Sequence, residues 1–229
     1  MHRILLLLLA VSFHSFAGER SGNGGDVITC PESIELLDSF EARANHLHII
    51  LKNKTMDGVL EEVLPRIEKI DSFTSRIIRQ HISRLRDDVA SFDATGVSNQ
   101  PTTLFTEHEL VNIDDSAHFQ LPSGCQIEQL IIHSSSSYSL EKPFIINARL
   151  WKMLSPEQKA LSLLHEGWYI FLRAYGYENS RLARYLNGVF ASSSHSEYTQ
   201  HMFNQDLRSI HHRPINVLDQ TEVFSVEEN

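Results

Sequence analysis

Apolar residues recur every three or four positions through the first half of the chain, which is the spacing of amphipathic helices. Ser33 is a candidate N-cap for a first helix, residues 56–70 continue the pattern, and Asp71 can cap a third helix. Pro65 should kink or divide the second helix. A helical region is therefore predicted over 31–90. Its apolar positions are Ile34, Leu37, Phe40, Val59, Leu60, Val63, Leu64, Ile67, Phe73, Ile77, Ile78, Ile82, Leu85 and Val89.

A polar stretch rich in helix breakers follows, and it predicts a linker over 91–103. Beyond it, strand-like runs occur at 110–113, 125–133 and 144–147, with turn signals between them. The fold class predicted is α+β. We expect a helical N-terminal half, and then a small antiparallel sheet packed against C-terminal helices over 104–213.

The strongest helix signal in the sequence comes directly after these strands. Ser155 is the predicted N-cap, Pro156 takes the first helical position, Gln158 completes a capping box, and Gly176 ends the helix. The remaining predicted elements are a helix opened by Ser180, a last helix over 197–210 and a frayed tail over 214–229.

The N-terminus has the pattern of a secretory signal peptide over residues 1–17. Arg3 gives a positive start, residues 4–11 are apolar, and a small residue, Ala17, precedes the expected cleavage point. The apolar run is shorter than the roughly 20 residues that span a bilayer. We expect an exported chain, periplasmic or secreted, with no membrane span after cleavage. Residues 18–30 are glycine-rich and predict a flexible leader.

The net charge of the chain limits the classes of partner that it is expected to bind. The chain has 20 Lys and Arg against 29 Asp and Glu, a net charge of −9. Signal cleavage would remove only Arg3 among these residues, which leaves −10. Electrostatic binding to nucleic acid needs a basic footprint, so no nucleic-acid partner is expected. The expected partner is an unidentified protein or a component of the cell envelope.

The two cysteines, Cys30 and Cys125, would both remain after cleavage. An even pair in an oxidising compartment predicts a disulfide. The alternative is a pair of buried free thiols.

The predicted helix that starts near Ser155 contains the motif LHEGWY at 164–169. Zinc peptidases place HExxH on such a helix, where the two histidines bind the metal and the glutamate activates a water molecule. His165 and Glu166 match that motif, whereas Tyr169 stands in the place of the second histidine. The preceding order of strand, short helix and capped helix resembles the zincin fold.

Two interpretations of this motif follow. A phenol binds zinc well only after losing a proton of pKa about 10, so a working site would need further ligands. The candidates are His195, Glu197 and His201. In the other interpretation, His165 is a satisfied histidine at the edge of the core, Tyr169 packs with its hydroxyl in solvent, and Glu166 pairs with a base on the polar face.

The leading functional prediction is accordingly a non-catalytic binding or structural protein, with no cofactor. The alternative is a metal-dependent hydrolase acting on peptide or cell-wall substrates. It would use zinc held by His165, Tyr169 and His195, with Glu166 as the catalytic base.

Several short motifs accompany the signal peptide: GNGGD at 22–26, ELLD at 35–38 with Glu41-Ala42, Asp115-Ser116, LPSGC at 121–125, Leu150-Trp151, LHExxY at 164–169, Ser180 and Arg184-Tyr185. Together they resemble a group of exported bacterial proteins with no assigned activity. The resemblance implies export and supplies no reaction. It also implies that tyrosine fills the second-histidine position throughout the group.

Overall fold

The computed structural model describes residues 21–23, 25–98, 103–111, 120–134 and 144–208. The predicted signal peptide and the predicted C-terminal tail lie outside these ranges. The described strands are β1 (Ser21–Asn23), β2 (Asp26–Cys30), β3 (Ser33–Leu36), β4 (Thr103–Thr106), β5 (Gln126–Gln129), β6 (Ile131–Ser134) and β7 (Phe144–Asn147). The described helices are α1 (Leu37–Ala44), α2 (Met56–Ile70), α3 (Ser72–Thr95), α4 (Ala148–Met153), α5 (Pro156–Ala174), α6 (Arg181–Ala191), a 3-10 helix (Ser193–Ser196) and α7 (Gln200–Arg208). The predicted α+β class is confirmed.

The strands form two small sheets, in the orders β1-β6-β7-β4 and β3-β2-β5. All pairs are antiparallel except β4 with β7, which run parallel. The expectation of one antiparallel sheet in the C-terminal half is therefore corrected. Strands β1 to β3 come from the N-terminal part of the chain and complete both sheets.

A flexible leader is predicted over 18–30, but the described part of this segment forms strands β1 and β2. β1 pairs with β6 and β2 pairs with β5, so this segment belongs to both sheets. Between the two strands, the carbonyl of Gly25 accepts from the backbone N–H groups of Leu130 and Ile131, each at 3.1 Å. The chain changes sheet at Leu130 too, which is why the run predicted over 125–133 divides into β5 and β6.

The first predicted helix begins at Leu37 and not near Ser33, because Ser33–Leu36 pairs with β2 as strand β3. The division predicted at Pro65 is also wrong, since α2 runs without a break from Met56 to Ile70. Pro65 lies on the exposed face of α2, where water can bond the carbonyl that its ring leaves unpaired.

The predicted linker over 91–103 is shorter than expected. Helix α3 continues to Thr95 and ends at Gly96, whose φ of 74° is readily adopted by glycine. Strand β4, which the sequence analysis missed, already begins at Thr103. Of the strand predicted over 110–113, residues 110 and 111 are not extended into a strand, and the rest lies outside the described residues.

Helix α5 is the centre of the fold and packs against α2, α3 and α6. It starts as predicted, with Ser155 Oγ accepting from the backbone N–H of Gln158 at 3.3 Å. Gly167 permits the close approach to α3. A Cβ atom at this position would lie 2.7 Å from Ile78 Cγ2 and 2.8 Å from Ile82 Cγ2.

The predicted disulfide between Cys30 and Cys125 is present, and it joins positions 95 residues apart in sequence. It ties the end of β2 to the residue before β5, so the two strands are both bonded and paired. A disulfide of this kind fits an exported protein. Among the described helices, none has the length and apolar character needed to cross a membrane.

Candidate functional site

His165 lies on the buried face of α5 and has no exposed surface. Its Nδ1 atom is 3.0 Å and 3.1 Å from the two carboxylate oxygens of Asp38, so Nδ1 carries a proton and donates. Burial alone would lower the pKa of His165. The negative charge of Asp38 and its hydrogen bond outweigh burial and raise that pKa to about 9.

Asp38, in the first turn of α1, is held from a second side. The Nδ2 group of Asn187, on α6, donates to Asp38 Oδ2 at 2.7 Å and to the Leu161 carbonyl at 2.8 Å. Burial would raise the pKa of Asp38, but the charge and hydrogen bond of His165 and the Asn187 amide lower it overall. The pair is therefore Asp38 carboxylate with His165 imidazolium at neutral pH.

Glu166 is also completely buried, so its predicted place on the polar face of the helix is wrong. Its Oε1 atom accepts the backbone N–H of Gly25 at 2.8 Å, and that N–H replaces the base expected from the sequence. Burial raises the pKa of Glu166, although the charge of His165 and the Gly25 hydrogen bond act in the opposite direction.

Arg184 closes the cluster on the α6 side. Its Nε donates to Glu41 Oε2 at 2.8 Å, and its Nη1 donates to Ser180 Oγ at 2.5 Å. With His165 protonated, the two cations balance the charges of Asp38 and Glu41. Burial raises the pKa of both Glu41 and Glu166, although Arg184 opposes this for Glu41 and His165 opposes it for Glu166.

Three polar atoms of this cluster are buried without a hydrogen-bond partner among the described residues. They are His165 Nε2, Glu166 Oε2 and Asn187 Oδ1. Buried polar atoms normally have hydrogen-bond partners, so these three atoms are the part of the cluster whose hydrogen-bonding capacity is unused.

Tyr169 packs beside His165, with the two ring centroids 6.3 Å apart. Only 1% of Tyr169 is exposed, so the predicted solvent contact of its hydroxyl is wrong. The hydroxyl accepts from Arg173 Nη1 at 3.3 Å, and the Arg173 guanidinium lies 5.7 Å from the ring centroid.

The other predicted metal ligands are elsewhere. His195 lies in the 3-10 helix, with Nδ1 2.6 Å from the Ser192 carbonyl. Glu197 follows that helix, and His201 is exposed on α7. The described residues contain no group of three or more His, Cys, Asp or Glu side chains that could hold a metal ion.

Sequence reasoning about the helix missed the partners of His165 and Glu166. Gly25, Asp38 and Glu41 are each more than 120 residues away from their partners, which are Glu166, His165 and Arg184 respectively. A usable signal was nevertheless present in the short motifs of the resemblance. The motifs GNGGD, ELLD with Glu41, LHExxY, Ser180 and Arg184 all supply members of this one cluster.

No protein-family model, curated protein or solved structure matches this chain.

Proposed function

We propose that this chain is an exported, non-catalytic protein with a binding or structural role, in which His165 and Glu166 hold the core together. One observation carries the proposal. Both side chains are completely buried, and each already uses an atom to bind another element: His165 Nδ1 with Asp38, and Glu166 Oε1 with Gly25. Neither solvent nor a substrate can reach these groups without opening the core.

The physical role that fits this arrangement is cross-linking of the core. Asp38 joins α1 to α5 through His165, Asn187 joins α6 to α5 through the Leu161 carbonyl, and Gly25 joins the junction of the two sheets to α5 through Glu166. Arg184 joins α6 to α1 through Glu41. Removing one partner from a buried ion pair leaves an uncompensated charge and commonly costs about 3–5 kcal/mol.

Export is supported by the disulfide and by the signal-like pattern of residues 1–17. The order of β7, α4 and α5 is compatible with a zincin-like scaffold. On this proposal, the scaffold would serve a protein or cell-envelope partner in the periplasm or outside the cell.

The experiment is a zinc titration of the purified protein, followed by metal analysis after dialysis and by thermal unfolding. We expect no stoichiometric zinc and the same melting temperature with zinc or with a chelator. The variant His165→Gln should melt at a lower temperature under both conditions. One zinc ion per chain that raises the melting temperature, and that a folded His165→Gln variant fails to bind, would overturn the proposal.

A metal-dependent hydrolase is the second candidate, and one contact favours it. A carboxylate that accepts from Nδ1, as Asp38 does, commonly orients a metal-binding histidine and leaves Nε2 as the ligand atom. On this candidate, Glu166→Gln would retain bound metal and lose hydrolysis of peptide or cell-wall substrates. On the leading proposal, Glu166→Gln has no activity to lose.

A further inference from the structure

A cavity of about 660 Å³ lies beyond the C-terminal end of α6, apart from the His165 cluster. Its walls are the outer face of α2, the segment at 50–53 and the start of the 3-10 helix at Ser193–Ser196. The volume is within the range of about 300–1,000 Å³ that is typical of small-molecule sites.

The frame of this cavity is fixed by its own hydrogen bonds. Glu62 Oε2 accepts from the backbone N–H groups of Lys52 at 2.9 Å and Asn53 at 3.1 Å. Arg66 pairs with Glu62 and donates to the Phe190 carbonyl at 2.8 Å. Glu62 and Arg66 therefore bind each other and backbone groups of the wall, so their charges are already paired.

Backbone hydrogen bonds also join the 50–53 segment to the other side of the cavity, at the end of α6. The N–H of Ile50 donates to the Ala191 carbonyl at 3.0 Å, and the N–H of Ser193 donates to the His48 carbonyl at 3.2 Å. These bonds hold the 50–53 segment against the end of α6, so the cavity exists without a ligand.

The charges that remain available in the cavity are mainly positive. The ammonium groups of Lys52 and Lys69 form no ion pair with any residue that the structure describes. Glu61 offsets one of them, which leaves a net positive lining on a chain whose net charge is −9. A concave site of locally reversed sign attracts anions.

Further hydrogen-bonding groups complete the lining. His195 is fixed by the bond from its Nδ1 to the Ser192 carbonyl, so its Nε2 atom remains for a ligand. The Ser193 hydroxyl lies beside it and bonds no described group. Among the described residues of the lining, Ile50 and Pro65 are the apolar ones, and none has an aromatic side chain that could stack on a flat ring.

From this lining we propose that the cavity binds a small sugar-like anion, held through a carboxylate or phosphate group by Lys52 and Lys69. His195 and Ser193 would bond the hydroxyl groups of its polar body. This site is new relative to the cluster around His165, and it goes beyond the function proposed above.

The test is calorimetric titration of the purified protein at low ionic strength with glucose 6-phosphate, glucuronate and glucose. We expect one or both anions to bind and glucose not to bind. Binding of the phosphate alone or of the carboxylate alone identifies the anionic group. The double variant Lys52→Gln/Lys69→Gln should weaken binding by about tenfold, because it removes both cations that would pair with the anionic group.

The control is Lys54→Gln, which removes one positive charge two residues from Lys52, at a lysine that pairs with Glu157 and does not line the cavity. It should leave the affinity within about twofold of the wild type, because it removes no ligand contact. Absence of anion binding at millimolar concentration, or equal weakening by Lys54→Gln, would overturn the proposal. Neither result would bear on the buried cluster, which shares no residue with the cavity.

Discussion

The backbone N–H of Gly25 donates to Glu166 Oε1 at 2.8 Å, although the two residues are 141 positions apart in sequence. The contact joins the point where the chain passes between the two sheets to the middle of the central helix. It also gives a direct way to separate a structural from a catalytic glutamate.

The paired substitutions Glu166→Ala and Glu166→Gln test this contact. Alanine removes the acceptor and leaves the Gly25 N–H buried without a partner, which should cost about 1–3 kcal/mol or more. Glutamine keeps a carbonyl oxygen for that N–H and carries no charge, so it avoids the burial cost that raises the pKa of Glu166. Urea unfolding should rank wild type and Glu166→Gln close together, with Glu166→Ala well below both.

Gly25→Ala is the control for the other side of the contact. It keeps the N–H, and its Cβ atom would meet Leu36 and Glu166 only at ordinary distances of 3.7 Å and 3.9 Å. We expect a small change in stability. Equal stability of wild type and Glu166→Ala would contradict the role given to the contact.

The pH dependence of stability should reveal the Asp38–His165 pair. The pKa of His165 rises from 6.5 in the unfolded chain to about 9 in the folded protein, so the folded state binds the extra proton. The contribution is complete below about pH 6.5 and is lost as pH rises through about 9, by roughly 3 kcal/mol. Unfolding free energies measured between pH 6 and 10 should fall accordingly.

Asp38→Asn removes the charge that stabilises the imidazolium. It should bring the pKa of His165 down, as read from the ring proton shifts by NMR, and flatten the fall in stability above pH 6.5. A His165 resonance that titrates near pH 6.5 in the wild type would show that the ion pair is not formed.

Gly167→Ala should destabilise the protein even though alanine favours helix by about 1 kcal/mol. The new methyl group would lie 2.7 Å from Ile78 Cγ2 and 2.8 Å from Ile82 Cγ2, and β-branched side chains have little freedom to move away. Overpacking of this kind costs about 1–3 kcal/mol. Thermal unfolding gives the comparison.

Gly188→Ala on α6 is the matched helical control. Its closest contacts would be Ala42 Cβ at 3.0 Å and Leu47 Cδ1 at 3.4 Å, so less has to move. We expect a smaller loss of stability than for Gly167→Ala. The reverse order would mean that α5 and α3 can separate more easily than α6 and α1.

Loss of the disulfide should lower stability without changing the sheet pairing. In the chain-entropy model, a bond that closes a loop of nearly 100 residues contributes about 4–5 kcal/mol. The double variant Cys30→Ala/Cys125→Ala and the reduced wild type should therefore show the same lowered urea midpoint. An unchanged midpoint in both would show that the unfolded chain gains little freedom when the bond is absent.

The sequence predicted the elements whose signals are local. Ser155, Pro156 and Gln158 specify the start of α5 within a few residues, and the structure starts the helix there. Ser33 offered an equally local helix signal, but pairing with Cys30 across a tight turn made the segment a strand. Pairing energy of this kind cannot be read from the spacing of apolar residues.

The prediction of the site failed for a related reason. The pattern of the helix assigns Glu166 to the solvent-exposed face because its side chain is charged. Its hydrogen-bond partner is instead a backbone group far away in sequence. The same holds for Asp38 and Asn187, which are 149 residues apart. Which residues form the cluster depends on the topology of the fold, and local sequence patterns do not predict that topology.

These distant pairs also affect the order in which the chain can fold. Asp38 and Glu41 are synthesised long before their partners His165, Arg184 and Asn187. Contacts of such long sequence separation form slowly. A chain that is cut short before α6 would have to keep the acidic side chains of α1 in water, so this part of the core can close only after α6 has been synthesised.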